Sequence, residues 1–157
     1  MQTLLQLLAS DPRVSFTPQP VVPSGDMRSS WRIALLLIIL HRCHGKSATV
    51  EQLHAFGWAI LAEPERETLV AGLAGKIQPE GIVIRFDPAW SRVMDLSVGF
   101  GLTEWSTTNR LQLTIRGKEV AQMLWDSPDV LNDEKSFLAS QPRLSQSMVA
   151  RLLGGSF

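Results

Sequence analysis

The longest apolar run in the chain, Ile33 to Leu40, is bounded by Arg32 on one side and His41-Arg42 on the other. Nearly every position in it is hydrophobic, which predicts a helix buried on most of its faces rather than along one stripe. Ser29 or Ser30 is placed to cap this helix, which spans Trp31 to about His44, and Gly45 follows in the C′ position. His41, Arg42, His44 and Lys46 crowd its C-terminal end, where the helix dipole favours positive charge. Eight apolar residues fall far short of the roughly 20 that a membrane span needs, so this is a core helix and not an anchor.

Ser47-Ala48-Thr49 opens a second helix. Thr49 with Gln52 three residues on matches a capping box, and Leu53, Phe56 and Ile60 recur at helical spacing to about Leu61. Two helices joined by a short Gly-containing connection make a helix-turn-helix opening. A weaker helix runs from Pro64 to the Gly72–Gly75 region. Gly81-Ile-Val-Ile-Arg-Phe86, rich in β-branched residues and flanked by Gly and Asp87-Pro88, predicts a short strand. Asp87 as cap and Pro88 at the first helical position then start a fourth helix through Val98, which Gly99 and Gly101 stop.

Two short strands follow, Leu102–Trp105 and Arg110–Leu113, joined by a turn at Ser106–Asn109. Leu111 and Leu113 share one face at period two, with Arg110 and Gln112 on the other. Thr114 caps a last helix that reaches Trp125. Helix, turn, helix, intervening element, helix, hairpin and then Leu-Thr-x-x-Gly-Lys is the order of a winged-helix domain, a mainly α fold with a small β-hairpin (α+β). That fold serves many functions and by itself specifies none.

The domain is assigned to residues 30–126. Before it, Pro12, Pro18, Pro20 and Pro23 forbid regular helix beyond a short one at Thr3–Ala9, so residues 1–29 read as an extended Pro-rich arm, either disordered or laid along a partner. After it, residues 127–157 form a helical tail: Asp129 or Asn132 starts a helix through Ala139, Pro142 breaks it, and Ser145 starts another through Leu153. This pair is either a docking or dimerisation element or a cover for the core.

Fifteen basic and fifteen acidic residues give the 157-residue chain a formal net charge of zero. DNA binders usually carry a basic excess, because phosphate neutralisation dominates their affinity. Neutrality argues against free-standing DNA binding and removes long-range repulsion between copies, leaving a homodimer open. The single cysteine, Cys43, allows no intrachain disulfide and suits a reducing compartment. The N-terminal residues lack a basic stretch ahead of their apolar ones, unlike a signal peptide, so a cytoplasmic location is expected, without membrane contact.

Catalytic and metal chemistry find little support. His41, Cys43 and His44, with His54 as a fourth ligand, invite a zinc reading, but neighbouring Cys43 and His44 point about 100° apart on a helix and the spacing matches no structural zinc site. Among the internal carboxylates, Asp87 is explained as a cap and Asp95 by pairing with Arg92 on the same helix. Glu104 has no acid–base partner in the pattern. The chain contains no G-x-S-x-G, H-E-x-x-H, P-loop or G-x-G-x-x-G motif. No enzyme activity, cofactor or metal is expected.

In a winged helix the helix before the hairpin normally enters the major groove. Here it is Pro-Ala-Trp-Ser-Arg-Val-Met-Asp-Leu-Ser-Val, with Arg92 as its one basic residue, a poor groove reader and a good packing surface. Arg92, Arg110, Arg116 and Lys118 are the candidate contacts to a DNA backbone. Tryptophan is enriched at interface hot spots, and Trp58, Trp90, Trp105 and Trp125 are the candidate partner contacts, Trp105 on the hairpin foremost. Trp31 completes the set of five, one per principal element.

Three stretches, WRIALLLIILHRCHGKSATVEQLHAFGWAI (31–60), IVIRFDPAWSRVMDLSVGFGLTEW (82–105) and RLQLTIRGKEVAQML (110–124), together resemble the middle components of ABC-three-component systems. These are small partners of SMC-like ATPases in Lamassu-type antiphage defence. Lys46, Gln52, Leu53, His54, Trp58 and Ala59 carry one part of the likeness and Arg85 to Ala89 the other. The resemblance covers roughly residues 30–125 and implies a winged-helix accessory subunit without catalytic residues. Such a subunit would bridge a long coiled-coil ATPase and a nuclease or other effector, with non-specific DNA contact inside the complex. Arg85, Asp87, His54 and Trp58 would serve structure or subunit contact. A winged-helix transcriptional regulator is the alternative.

Overall fold

The computed structural model describes residues 25–142 and 145–152. The expected N-terminal arm therefore lies, as far as residue 24, outside the described residues. Helix α1 spans Gly25–Arg42. It begins earlier than the Ser29 or Ser30 cap predicted, so both serines lie inside it. From Leu35 to Leu40 every side chain is at most 1% exposed. A helix enclosed on all sides is what its unbroken apolar run requires.

Gly45 and Lys46, at φ 65° and 55°, turn the chain out of α1 through a short 3-10 turn. Ser47–Ala48 is then strand β1, not the start of the second helix. The correction has a physical cause. Ala48 pairs with Leu111 and Ser47 with Gln112, so the hairpin captures a segment whose own residues carry little β preference. Helix α2, Val50–Ile60, starts on the expected capping box: Thr49 N–H donates to Gln52 Oε1 at 2.9 Å and Gln52 N–H to Thr49 Oγ1 at 3.3 Å. Helix α3 follows at Glu63–Leu73.

The strand predicted over Gly81–Phe86 does not form. Pro79–Gly81 is a 3-10 turn and residues 82–87 run without a regular element. β-branched content favours a strand only when a neighbouring strand is at hand, and none among the described residues pairs with this segment. Helix α4, Pro88–Gly99, strand β2, Thr103–Trp105, strand β3, Leu111–Leu113, and helix α5, Ile115–Asp126, occur in the expected order. The three strands form one antiparallel sheet in the order β1-β3-β2. Leu111 and Leu113 are buried beneath it, while Glu104 and Gln112 pair on its open face at 2.8 Å.

Helices α6, Asn132–Ser140, and α7, Gln146–Leu152, belong to the same body. Leu138, Val149 and Leu152 join α1, α2 and α4 in one hydrophobic cluster, so of the two readings left open for the tail the structure supports the cover. The fold is thus mainly helical with a small three-stranded antiparallel sheet. No helix among the described residues is long and apolar enough to cross a membrane.

Candidate docking surface on helix α4 and the hairpin

Asp87 sets the start of α4. Its Oδ1 accepts from Ala89 N–H at 2.9 Å while Oδ2 pairs with Arg32 Nη1 of α1 at 2.6 Å. The hydrogen bond from Arg32 leads the causes that hold this carboxyl below its ordinary range. The cap therefore also ties α4 to the core helix. From this start, Trp90, Val93, Met94 and Ser97 face inward, and Ser91, Arg92, Asp95 and Gly99 face solvent. A shallow depression lined by Arg92, Asp95, Leu96, Gly99 and Phe100 runs along the outer face. Phe100, just past the helix end, is 58% exposed. The ion pair expected between Arg92 and Asp95 does not form among the described residues.

The end of α4 is laced to the start of α5. Thr114 N–H donates to Leu102 O at 3.1 Å, its hydroxyl donates to Gly101 O at 2.7 Å, and the same hydroxyl oxygen accepts from Gly117 N–H at 3.0 Å. Inside, Ser97 Oγ donates to Met94 O at 2.7 Å and lies 2.6 Å from Thr103 Oγ1, joining α4 to β2. These bonds explain the Thr-x-x-Gly spacing and fix where the flanking side chains emerge. Ile115, on the first turn of α5, is 80% exposed, and Met123, two turns further along the same helix, is 71% exposed. Phe100 and Ile115 therefore flank one rigid junction, with Arg116 Nη1 reaching Phe100 O at 3.5 Å.

The residues singled out in the sequence separate on this surface. Arg92, Arg116 and Lys118 are exposed, but Asp95, Glu104 and Glu119 are interleaved with them, so no continuous basic stripe forms. Arg110 is not available to a phosphate: its guanidinium donates to Ser47 Oγ at 3.1 Å, Ser47 O at 3.0 Å and Gln146 Oε1 at 3.1 Å. It clamps β1 and α7 to the hairpin instead. Trp90 is 1% exposed and packs under Gly57 of α2, so it is a core residue and not a partner contact. Trp58 is partly buried against the core. Trp125 is also half-buried, stacked on His41 with centroids 5.5 Å apart and covered by the Arg42 guanidinium at 5.6 Å. Trp105 is 41% exposed, and Trp31, not among the candidates, is 42% exposed. Phe100, Ile115 and Met123 were also missed. Only Ile115, an apolar residue directly after a helix cap, stood out in the sequence as a signal that could have been used.

The suspected metal ligands do not converge. His41 faces Trp125, whereas buried His54 on α2 meets Phe86 in a tilted contact with ring centroids 4.2 Å apart. Burial pushes the Cys43 thiol up to about 11, so it stays protonated and is a poor ligand or nucleophile. No group of three His, Cys, Asp or Glu side chains among the described residues is placed to hold a metal ion.

His54 makes stability depend on pH. Burial lowers its imidazole below the ordinary 6.5, with Asp87 and Glu51 acting in the opposite direction, and its Nδ1 is buried without a partner. As pH falls through 6.5 the unfolded chain takes up a proton that the folded chain refuses. The unfolded state then binds more protons, so folding stability drops across this window. The melting temperature is expected to fall between about pH 7 and pH 5, and to fall less steeply in His54→Gln. Parallel pH dependence in the two proteins would contradict this assignment. Asp87 confuses the measurement little, because the stability from its lowered carboxyl is lost mainly as pH falls through and below 3.8, under the window in which His54 acts.

Comparison with protein-family models, curated proteins and solved structures finds no match to this chain.

Proposed function

We propose that this protein is a winged-helix, non-catalytic docking subunit of a larger cytoplasmic assembly. In this reading it bridges an SMC-like ATPase and a nuclease or other effector in the manner of Lamassu-type antiphage systems. Supporting the fold assignment are the strand order β1-β3-β2, the placement of β1 between the first two helices, and the hairpin directly after α4. Helix α3 is an addition between the second helix and the one that would face a groove.

The observation that carries the functional reading is the outer face of α4 and its junction with α5. A groove-reading helix needs polar and basic side chains that reach base edges. Here the face offers one cation, one anion and a half-buried leucine, and ends at exposed Phe100 beside exposed Ile115. Each large apolar side chain covered by a partner contributes roughly 1.5–3 kcal/mol, so this junction suits a protein better than DNA. Arg116 and Lys118 at its border supply the backbone contact that a DNA-associated complex would use.

Co-expressing the chain with the open reading frames encoded beside it tests the proposal. Recovery of a coiled-coil ATPase at fixed stoichiometry is expected. If the protein elutes without one and shifts a single DNA fragment at physiological salt, it is the transcriptional regulator instead.

A further inference from the structure

The segment between the 3-10 turn and α4 has the backbone of a strand without a strand's partner. Ile82 lies at φ −107°, ψ 113° and Asp87 at φ −100°, ψ 114°. From Val83 to Phe86, no backbone N–H or C=O finds a hydrogen-bond partner among the described residues. The side chains alternate as in a half-buried strand. Ile82 seats against Gly72 of α3, Ile84 packs on the core and Phe86 leans on the His54 ring, while Val83 is 74% exposed and Arg85 is also open to solvent. A row of unpaired groups on β-branched residues is a template for another strand.

The two edges of this segment are not equivalent. Successive N–H groups along an extended chain point to opposite edges, so Ile82, Ile84 and Phe86 share one and Val83 and Arg85 the other. The first edge is interrupted at Ile82, whose N–H already donates to Pro79 O at 3.0 Å. Val83 and Arg85 form the free edge.

We propose that this edge pairs antiparallel with the same segment of a second copy of the chain, about a two-fold axis at Ile84. Val83 of each copy then opposes Arg85 of the other, and each such pair exchanges both of its N–H to C=O bonds. Ile84 opposes Ile84 in the closer, non-hydrogen-bonded position, and Ile82 opposes Phe86. The register is self-complementary: no like charges are directly opposed, and Phe86, 63% exposed in one copy, gains cover from the mate's Ile82. Zero net charge leaves no long-range repulsion between the copies. The pairing goes beyond the docking role proposed above and uses a different surface.

Sedimentation velocity on the full chain, from about 1 µM to several hundred µM, covers the range expected of an interface this small. A dimer that forms with rising concentration is expected. Val83→Pro removes the pairing N–H without breaking any hydrogen bond in the monomer, and Ile82 already holds the extended conformation preferred before proline. It should raise the dimer dissociation constant at least about tenfold, whereas Val83→Thr, which keeps the N–H, should not. Hydrogen exchange on the unaltered protein keeps the test decisive if the proline variant folds poorly. Amide protection should rise with concentration at Val83 and Arg85 but not at Ile84. A chain that stays monomeric throughout, a dimer indifferent to Val83→Pro, or equal protection at all three amides would overturn the pairing.

Discussion

Replacing Gly117 with alanine is expected to be among the most damaging single-methyl additions in the chain. A Cβ built there would lie 1.8 Å from Leu102 O and 2.9 Å from Leu102 C, both backbone atoms. Leu102 cannot retreat, because its carbonyl accepts from Thr114 N–H and its own N–H donates to Ser97 O at 3.0 Å. Relief must come from pulling α5 away from the α4–β2 corner, which breaks the Thr114 bonds that define the junction. Overpacking of a rigid site costs about 3 kcal/mol or more. For a domain of this size that lowers the melting temperature by roughly 6–12 °C. Gly99→Ala is the control, since a Cβ at Gly99 meets nothing within 4 Å. Circular-dichroism melts that rank the two variants equally would refute the account of the junction.

Gly57→Ala should have an effect of similar size by a different route. The added Cβ would lie 2.2–2.6 Å from three atoms of the Trp90 indole, which is 1% exposed in the core. A buried ring cannot rotate away as the tip of a flexible side chain can, so α2 and α4 must separate. Because the obstacle is one side chain, the two positions are expected to couple. Gly57→Ala combined with Trp90→Leu should be destabilised by less than the sum of the single variants, by about 1 kcal/mol or more. Strict additivity in urea melts would show that Trp90 is not what the new methyl meets. The prediction also bears on function, since a tryptophan locked under α2 serves the scaffold and not a partner.

Much of this scaffold was legible from local chemistry. The capping box at Thr49, Asp87 before Pro88, and the Leu111–Leu113 alternation each specify structure through neighbours a few residues away. What escaped was set by long-range pairing. Ser47-Ala48 is a strand only because Leu111 and Gln112 lie beside it, and Ile82–Phe86 is not one because no strand among the described residues pairs with it. The candidate site divides in the same way. Arg110 looked like a phosphate contact until its bonds to Ser47 and Gln146, far away in sequence, showed it to be a clamp. Phe100 and Met123 look like ordinary apolar residues in the sequence, and only the tertiary structure shows them, with Ile115, on the outside. Trp31, directly before the apolar run, likewise reads as a core residue and is 42% exposed. The apolar α4, in contrast, was visible at once from its composition.

The proposed docking surface and the strand edge at Val83–Arg85 make separable claims, since one rests on side chains of α4 and α5 and the other on backbone groups before α4. A variant of one leaves the other intact.

The central claim is that apolar contacts at the α4–α5 junction, and not its cations, would hold this chain in the proposed assembly. Parallel co-purification of two variants with the neighbouring gene products tests it most directly. Phe100→Asp with Ile115→Asp changes two exposed apolar side chains, and Arg92→Ala with Arg116→Ala and Lys118→Ala removes the exposed basic ones. The account predicts that the first variant, folded by circular dichroism, loses the ATPase while the second retains it. Retention by the first and loss by the second, with DNA binding lost alongside, would contradict it.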